Sequence, residues 1–121
     1  MAEENDPSST LSEHSFHEVI GETAIYFKIL KMRESIFLWI GDCPNFDHLA
    51  VSTPTKMSHI PSSSTILGED NGNIYGPIAQ RLAKRLKKQV LLSLNTAANE
   101  ETLYLIEKRF LEEFQRYPEK F

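Results

Sequence analysis

Cysteine is nearly absent from this chain of 121 residues, and long apolar runs are missing altogether. With Cys43 as the single cysteine, one chain can form neither an internal disulfide nor a cysteine-based zinc site, which favours a reducing compartment. No stretch approaches the roughly 18 consecutive apolar residues of a membrane span. The first residues carry acids where a secretory signal needs cations. We therefore expect a cytoplasmic protein, with the nucleus as a second location, and no membrane partner.

A strong excess of charge is also missing. The net charge is −4, with 40% hydrophobic and 25% charged side chains, which is typical of one soluble globular domain and argues against nucleic acid as a partner. We predict a disordered polar tail over residues 1–12 and a single domain over residues 13–121. A chain this short buries only about two thirds of its unfolded surface, which leaves little room for a deep substrate pocket.

Two short runs, SIFLWIG at residues 35–41 and QVLLSL at residues 89–94, lack the alternation of a strand with one wet face. Both faces of such strands require burial. Further strands are predicted over residues 16–20, 23–32, 46–53 and 64–67, and helices near residues 74–88 and 99–117. Short connections predict that the first four strands form an antiparallel meander. The predicted fold is α+β, an antiparallel sheet of about six strands with two helices on one face.

The second face of this sheet suggests a partner. Two helices of about 10 Å diameter cover one face of a six-stranded sheet but not both. The other face stays apolar, and soluble monomers rarely expose a large apolar patch. We infer a protein partner packed sheet against sheet, so that the protein dimerises through the face opposite the helices.

The sequence offers no convincing catalytic, cofactor or metal site. The four histidines lack metal-binding spacing, and His14 and His17 fall on opposite faces of a strand. Neither Cys43 nor the serine run at residues 62–64 has a nearby base or a nucleophile elbow. The glycine-rich segment 68–76 lacks the Gly-Lys-Ser/Thr of a phosphate loop and carries two acids. We predict a non-enzymatic protein without cofactor or metal.

Cations cluster on and just after the first predicted helix. They are Arg81, Lys84, Arg85, Lys87 and Lys88. Such a face is most often solvated or paired with a neighbouring helix, and an acidic protein partner is the next alternative. Nucleic acid is the least favoured alternative, because no aromatic residues alternate with the cations.

Several fragments occur along the chain in an order that one known family shares. They are FLWIG (37–41), LAV (49–51), IP (60–61), LG (67–68), AQRLA (79–83), KQV (88–90) and YPEKF (117–121). From about residue 16 onwards the chain thereby resembles the proteasome assembly chaperone 4 family. The resemblance implies an antiparallel sheet with helices on one side and a dimer partner on the other. It departs from the family pattern at residues 52–64, at residues 69–76 and at Cys43.

The resemblance also implies a function. Such a chaperone pairs with a sister chaperone, the third of the series, and the heterodimer holds α-type subunits of the 20S proteasome while the α-ring assembles. We predict that the partner-binding sheet face includes Ile25, Phe27, Ile29, Phe37, Trp39 and Leu91, and periodicity leaves open which face turns outward. The residues predicted for an α-subunit contact are Arg81, Lys84, Arg85 and Lys88.

Other interpretations stay open at this point. The chain in isolation could form a homodimer. It could also be a small adaptor that dimerises through its sheet without any link to proteasomes. A third alternative is a small ligand-binding domain or enzyme that uses the loop at residues 42–48.

Overall fold

The computed structural model describes residues 11–55, 61–68, 75–96 and 99–121. Its elements are β1 (Ser12–Ile20), β2 (Thr23–Lys31), β3 (Ser35–Gly41), β4 (Leu49–Thr53), β5 (Ser62–Leu67), α1 (Tyr75–Leu86), β6 (Gln89–Asn95), α2 (Glu100–Arg116) and a 3-10 turn at Pro118–Lys120. The α+β class with six strands and two α-helices is therefore confirmed. Residues 1–10 of the predicted tail and residues 69–74 of the glycine-rich segment lie outside the described residues.

The strands form one mixed sheet in the order β1-β2-β3-β6-β4-β5. The first three strands pair antiparallel as predicted, and β4 pairs antiparallel with both β5 and β6. The prediction that β4 continues the meander beside β3 is wrong, because β6 lies between them and runs parallel to β3. A parallel pair requires a long crossover, and the chain between β3 and β6 contains β4, β5 and α1.

Both helices pack on the same face of the sheet. Buried residues of the strands on this face are Ile25, Phe27, Ile29, Ile36, Leu38, Ile40, Val90, Leu92 and Leu94, and those of the helices are Ile78, Leu82, Leu86, Leu103, Ile106 and Phe110. The helical positions recur every three or four residues, which is the spacing of one helix face. At the start of α2, the Asn99 side chain accepts a hydrogen bond of 2.8 Å from the backbone N–H of Thr102.

A charged cluster connects α2 to β1. The carboxylate of Glu113, which is 3% exposed, lies 2.7 Å from Nε2 of His14 and 2.9 Å from a guanidinium nitrogen of Arg109. Arg109 also pairs with Glu18 at 3.0 Å. Burial of Glu113 opposes its ionisation, but the hydrogen bonds from His14 and Arg109 outweigh burial and lower its pKa. The cluster therefore holds an ionised carboxylate at the junction between helix and sheet.

Phe121 also belongs to the core, where its side chain is 3% exposed. Its ring makes edge contacts with Phe110 and Phe114, with centroids 5.2 and 5.4 Å away. The ammonium of Lys88 donates a hydrogen bond of 2.7 Å to the main-chain oxygen of Phe121. Residues after α2 therefore close the end of the helix layer.

Candidate partner-binding surface

The residues predicted for a partner-binding face divide between the two faces of the sheet. Ile25, Phe27 and Ile29 are each 1% exposed and pack beneath the helices. In the β2–β3 register, Phe27 lies opposite Ile40 and Ile29 lies opposite Leu38, which places all three on the core face. The inclusion of Ile25, Phe27 and Ile29 in the partner-binding face is therefore corrected, because these side chains are inaccessible to a partner.

The other predicted residues, Phe37, Trp39 and Leu91, lie on the face opposite the helices, which we call the open face. Its side chains also include Val19, Tyr26, Lys28, Leu30 and Val51. Sequence reasoning missed Tyr26 and Lys28, although the alternation of polar and apolar residues in β2 carries the signal for them.

An apolar row crosses four strands of the open face. Leu30 lies opposite Phe37, Phe37 opposite Leu91, and Leu91 opposite Val51. All four side chains are partly exposed. Both described helices pack on the other side of the sheet, so this row is available to a partner. Cross-strand neighbours of this kind form one contiguous surface because their side chains lie about 5 Å apart.

The loop at residues 42–48 folds over one end of the open face. The indole N–H of Trp39 donates a hydrogen bond of 2.8 Å to the main-chain oxygen of Asn45. The ring of Phe46 stacks on Phe37, with centroids 5.9 Å apart and an interplanar angle of 9°. The Trp39 ring also lies close to the backbone at Gly41, where a Cβ atom would come within 2.9 Å of it. Glycine at this position therefore leaves room for the indole.

Asn95 holds the same loop from the next strand. Its side-chain oxygen accepts a hydrogen bond of 2.8 Å from the backbone N–H of Asp47, and its amide nitrogen donates one of 2.7 Å to Ser93. Asn95 and Ser93 are buried. The loop is thus fixed to the ends of both central strands.

Between this loop and the strands β2 and β3 lies a groove of about 620 Å³. The residues that line it are Glu13, Tyr26, Lys28, Ile29, Leu30, Phe37, Trp39, Asp42, Cys43, Pro44, Asn45 and Phe46. The ammonium of Lys28 lies 5.9 Å from the centroid of the Trp39 ring. The loop named for a ligand-binding alternative therefore does border a cavity, and that cavity is part of the open face.

The four cations predicted for an α-subunit contact do not form one free patch. Arg81 donates hydrogen bonds of 2.8 and 2.7 Å to the carboxylate of Glu107 in α2. Lys88 bonds a main-chain oxygen, and its pKa is lowered by burial and by a neighbouring lysine. Lys84 and Arg85 are exposed, and neither forms a hydrogen bond or ion pair within the part of the chain that the structure describes.

Within the described ranges, no group of three or more His, Cys, Asp or Glu side chains is placed to hold a metal ion. Neither described helix is long and apolar enough to cross a membrane. Cys43 is exposed, and a hydrogen bond to Asp42 together with its negative charge raises the pKa of the thiol. The thiol form therefore predominates at neutral pH.

Comparison with known proteins gives three consistent matches. A family model described as proteasome assembly chaperone 4 matches residues 24–96. The curated proteasome assembly chaperone 4 of Homo sapiens is 34% identical over 112 residues, covering 92% of this chain and 91% of the relative. The Mus musculus protein of the same name is 32% identical with the same coverage.

A solved structure supports the fold. A chain from the crystal structure of a novel chaperone complex for yeast 20S proteasome assembly aligns with a TM-score of 0.70. The alignment covers 88% of this chain and 97% of that chain, at 11% sequence identity. At this identity the likeness establishes a shared fold.

Proposed function

The chain belongs to the proteasome assembly chaperone 4 family, and from this premise we propose that it is a non-enzymatic chaperone that acts together with a sister chaperone, the third of the series. In this proposal the pair binds α-type subunits of the 20S proteasome and promotes assembly of the α-ring. The observation that carries the proposal is the apolar row on the open face. We expect the protein in the cytoplasm and the nucleus.

The open face supports the sister chaperone as the occupant of that surface. Leu30, Phe37, Leu91 and Val51 form an apolar row across four strands, and two packed sheets bury such rows against each other at a spacing of about 10 Å. Trp39 lies beside the row and resembles the aromatic anchors that dominate many interfaces. A partner that packs its own sheet here would remove these side chains from water.

A chaperone of this kind requires only differential binding. It stabilises one arrangement of subunits, and it leaves when a later component competes for the same surface. No step of this cycle breaks or forms a covalent bond. The proposal therefore needs two surfaces and no catalytic group.

The helix layer supplies the second surface. If a partner covers the open face, α1 and α2 stay on the outside of the complex. Lys84 and Arg85 on α1 are exposed, and neither forms a hydrogen bond or ion pair in the described structure. We propose that they contact an acidic surface of an α-type subunit, whereas Arg81 and Lys88 mainly stabilise the fold through the bonds they already make.

The function is tested by purifying the tagged chain gently from its native cells and identifying the bound proteins by mass spectrometry. We expect a similarly small partner together with proteasome α-subunits and without mature β-subunits. Recovery of the chain alone, or with proteins unrelated to proteasomes, would leave an adaptor or a ligand-binding domain as the better interpretation.

The surface is tested by two matched substitutions on opposite sides of the molecule. Leu91→Asp places a charge in the apolar row and should abolish co-purification of the small partner. Leu105→Asp places the same charge on α2, where Leu105 is 38% exposed, and should leave the partner bound. Trp39→Ala should weaken partner binding by about 2 kcal/mol or more if Trp39 is an anchor. Normal binding by a folded Leu91→Asp protein would contradict the assignment of the open face.

A further inference from the structure

We propose that the groove between the 42–48 loop and strands β2 and β3 receives an extended segment of the partner, with an apolar side chain and, two residues away, a carboxylate. This inference rests on the proposed function, because the groove is part of the open face. It adds the chemistry of the segment that the partner must supply.

The apolar half of the requirement follows from the walls of the groove. Tyr26 and Phe46 are 47% and 45% exposed, and Phe46 stacks on Phe37. The indole N–H of Trp39 is already bonded to Asn45, so the ring offers mainly its apolar surface to an occupant. Aromatic rings bury a large area with little loss of side-chain freedom, which suits them to hold an inserted apolar side chain.

The carboxylate half follows from Lys28. Its side chain is exposed beside the Trp39 ring, and it forms no ion pair with a described carboxylate. Glu13 and Asp42 also line the groove but lie outside ion-pair distance of the ammonium. A partner sheet that covers this face would remove Lys28 from water, and a buried ammonium is costly unless a carboxylate pairs with it.

The spacing of the two features fits an extended chain. In a strand, residues two apart point to the same face at a separation of about 7 Å. The Lys28 ammonium lies 5.9 Å from the centroid of the Trp39 ring, which is a comparable distance. One strand could therefore place an apolar side chain against the aromatic walls and a carboxylate against Lys28.

The 42–48 loop makes the groove a preformed site. Hydrogen bonds from Trp39 and to Asn95 fix the loop at two points. A site held in this way loses little freedom on binding, and such preorganisation favours affinity. The loop also ends the open face on one side, so it limits the positions in which a partner sheet can dock.

The test measures the affinity of the full-length chain for the recombinant sister chaperone by titration calorimetry at low and high salt. Lys28→Met should weaken binding about tenfold or more and reduce its salt dependence, and Lys28→Glu should weaken it further because it sets two carboxylates against each other. Phe46→Ala, which removes one aromatic wall, should also weaken binding. Lys108→Glu, at an exposed position of α2 that the proposal assigns to neither surface, is the matched control and should bind as the parent chain does.

The outcomes separate this inference from the proposed function. If Leu91→Asp abolishes binding while the Lys28 and Phe46 variants bind normally, the groove inference is overturned and the open face stands. If all of these variants bind normally, both fail. If the chain alone sediments as a dimer that Lys28→Glu dissociates, the occupant is a second copy, which also overturns the inference. Thermal unfolding checks that each variant is folded. If Lys28→Glu does not fold, Lys28→Met, which removes the charge without reversing it, still tests the inference.

Discussion

Replacing Tyr26 and Phe27 by alanine, one at a time, tests which face of the sheet is the core. The two residues are adjacent in β2 and point to opposite faces. Phe27 is 1% exposed, and its ring stacks on Phe16 with centroids 4.5 Å apart. Phe27→Ala leaves a cavity that its neighbours fill only in part, and it should lower the free energy of unfolding by about 3–5 kcal/mol.

Tyr26→Ala should have a much smaller effect. Tyr26 is 47% exposed, so about half of its surface contributes nothing to burial in the free protein. The remaining contacts correspond to a loss of about 1–2 kcal/mol. The loss of unfolding free energy for Phe27→Ala should therefore be about three times the loss for Tyr26→Ala, although the two side chains are nearly equal in size.

Urea unfolding at neutral pH, followed by circular dichroism, measures both free energies. For a domain of this size, 1 kcal/mol shifts the midpoint of thermal unfolding by about 4 °C, so the two variants are also separated in a thermal scan. Equal losses for both substitutions, or a larger loss for Tyr26→Ala, would refute the assignment of the faces. For partner binding we expect the opposite order: Tyr26→Ala should weaken binding more than a folded Phe27→Ala protein does, because only Tyr26 is accessible to a partner.

The remaining predictions concern stability. Glu113 has a pKa below its ordinary 4.5, because the hydrogen bonds from His14 and Arg109 outweigh burial. The ionised carboxylate therefore stabilises the folded protein above pH 4.5, and this stabilisation should be lost as the pH falls through the lowered pKa. Glu113→Gln should reduce the decrease of the thermal unfolding midpoint at acid pH. Gly68→Ala should cost about 2–3 kcal/mol in urea unfolding, because φ is +86° and a Cβ would lie 2.5 Å from the oxygen of Asp47. Gly21→Ala, with φ of +68° and nothing within 4 Å, should cost only about 1 kcal/mol, and equal costs would contradict the steric argument. Phe121→Ala should lower the free energy of unfolding by about 3 kcal/mol or more, and an unchanged midpoint would show that this residue does not belong to the core.

The two runs without polar–apolar alternation predicted strands whose faces both require burial. In the structure β3 carries apolar side chains on both faces, whereas β6 is apolar on the core face and has Leu91 as its one apolar side chain on the open face. The two strands are neighbours in the middle of the sheet. For β3, local periodicity is sufficient to predict burial of both faces, because apolar side chains on each face need other protein groups packed against them. The helices were also predictable, since their apolar positions recur with the spacing of a single helix face.

The partner face was only partly predictable, and β2 shows why. Lys28 stands between Phe27 and Ile29, and this alternation indicates that the two apolar residues share a face. It does not indicate which face of β3 continues that surface, because β3 is apolar on both. Only the register, in which Lys28 lies opposite Trp39, assigns Phe27 and Ile29 to the core face and Trp39 to the open face.

The groove depends on a feature of topology that no local pattern encodes. Because β6 is inserted between β3 and β4, the chain that leaves β3 must cross the end of β6 before it enters β4. The 42–48 loop makes this crossing on the open face, where Trp39 and Asn95 hold it. Had β4 paired directly with β3, a short turn would have sufficed and the open face would have had no wall at this end. The same insertion that made the predicted meander wrong therefore creates the cavity in which we expect the partner to dock.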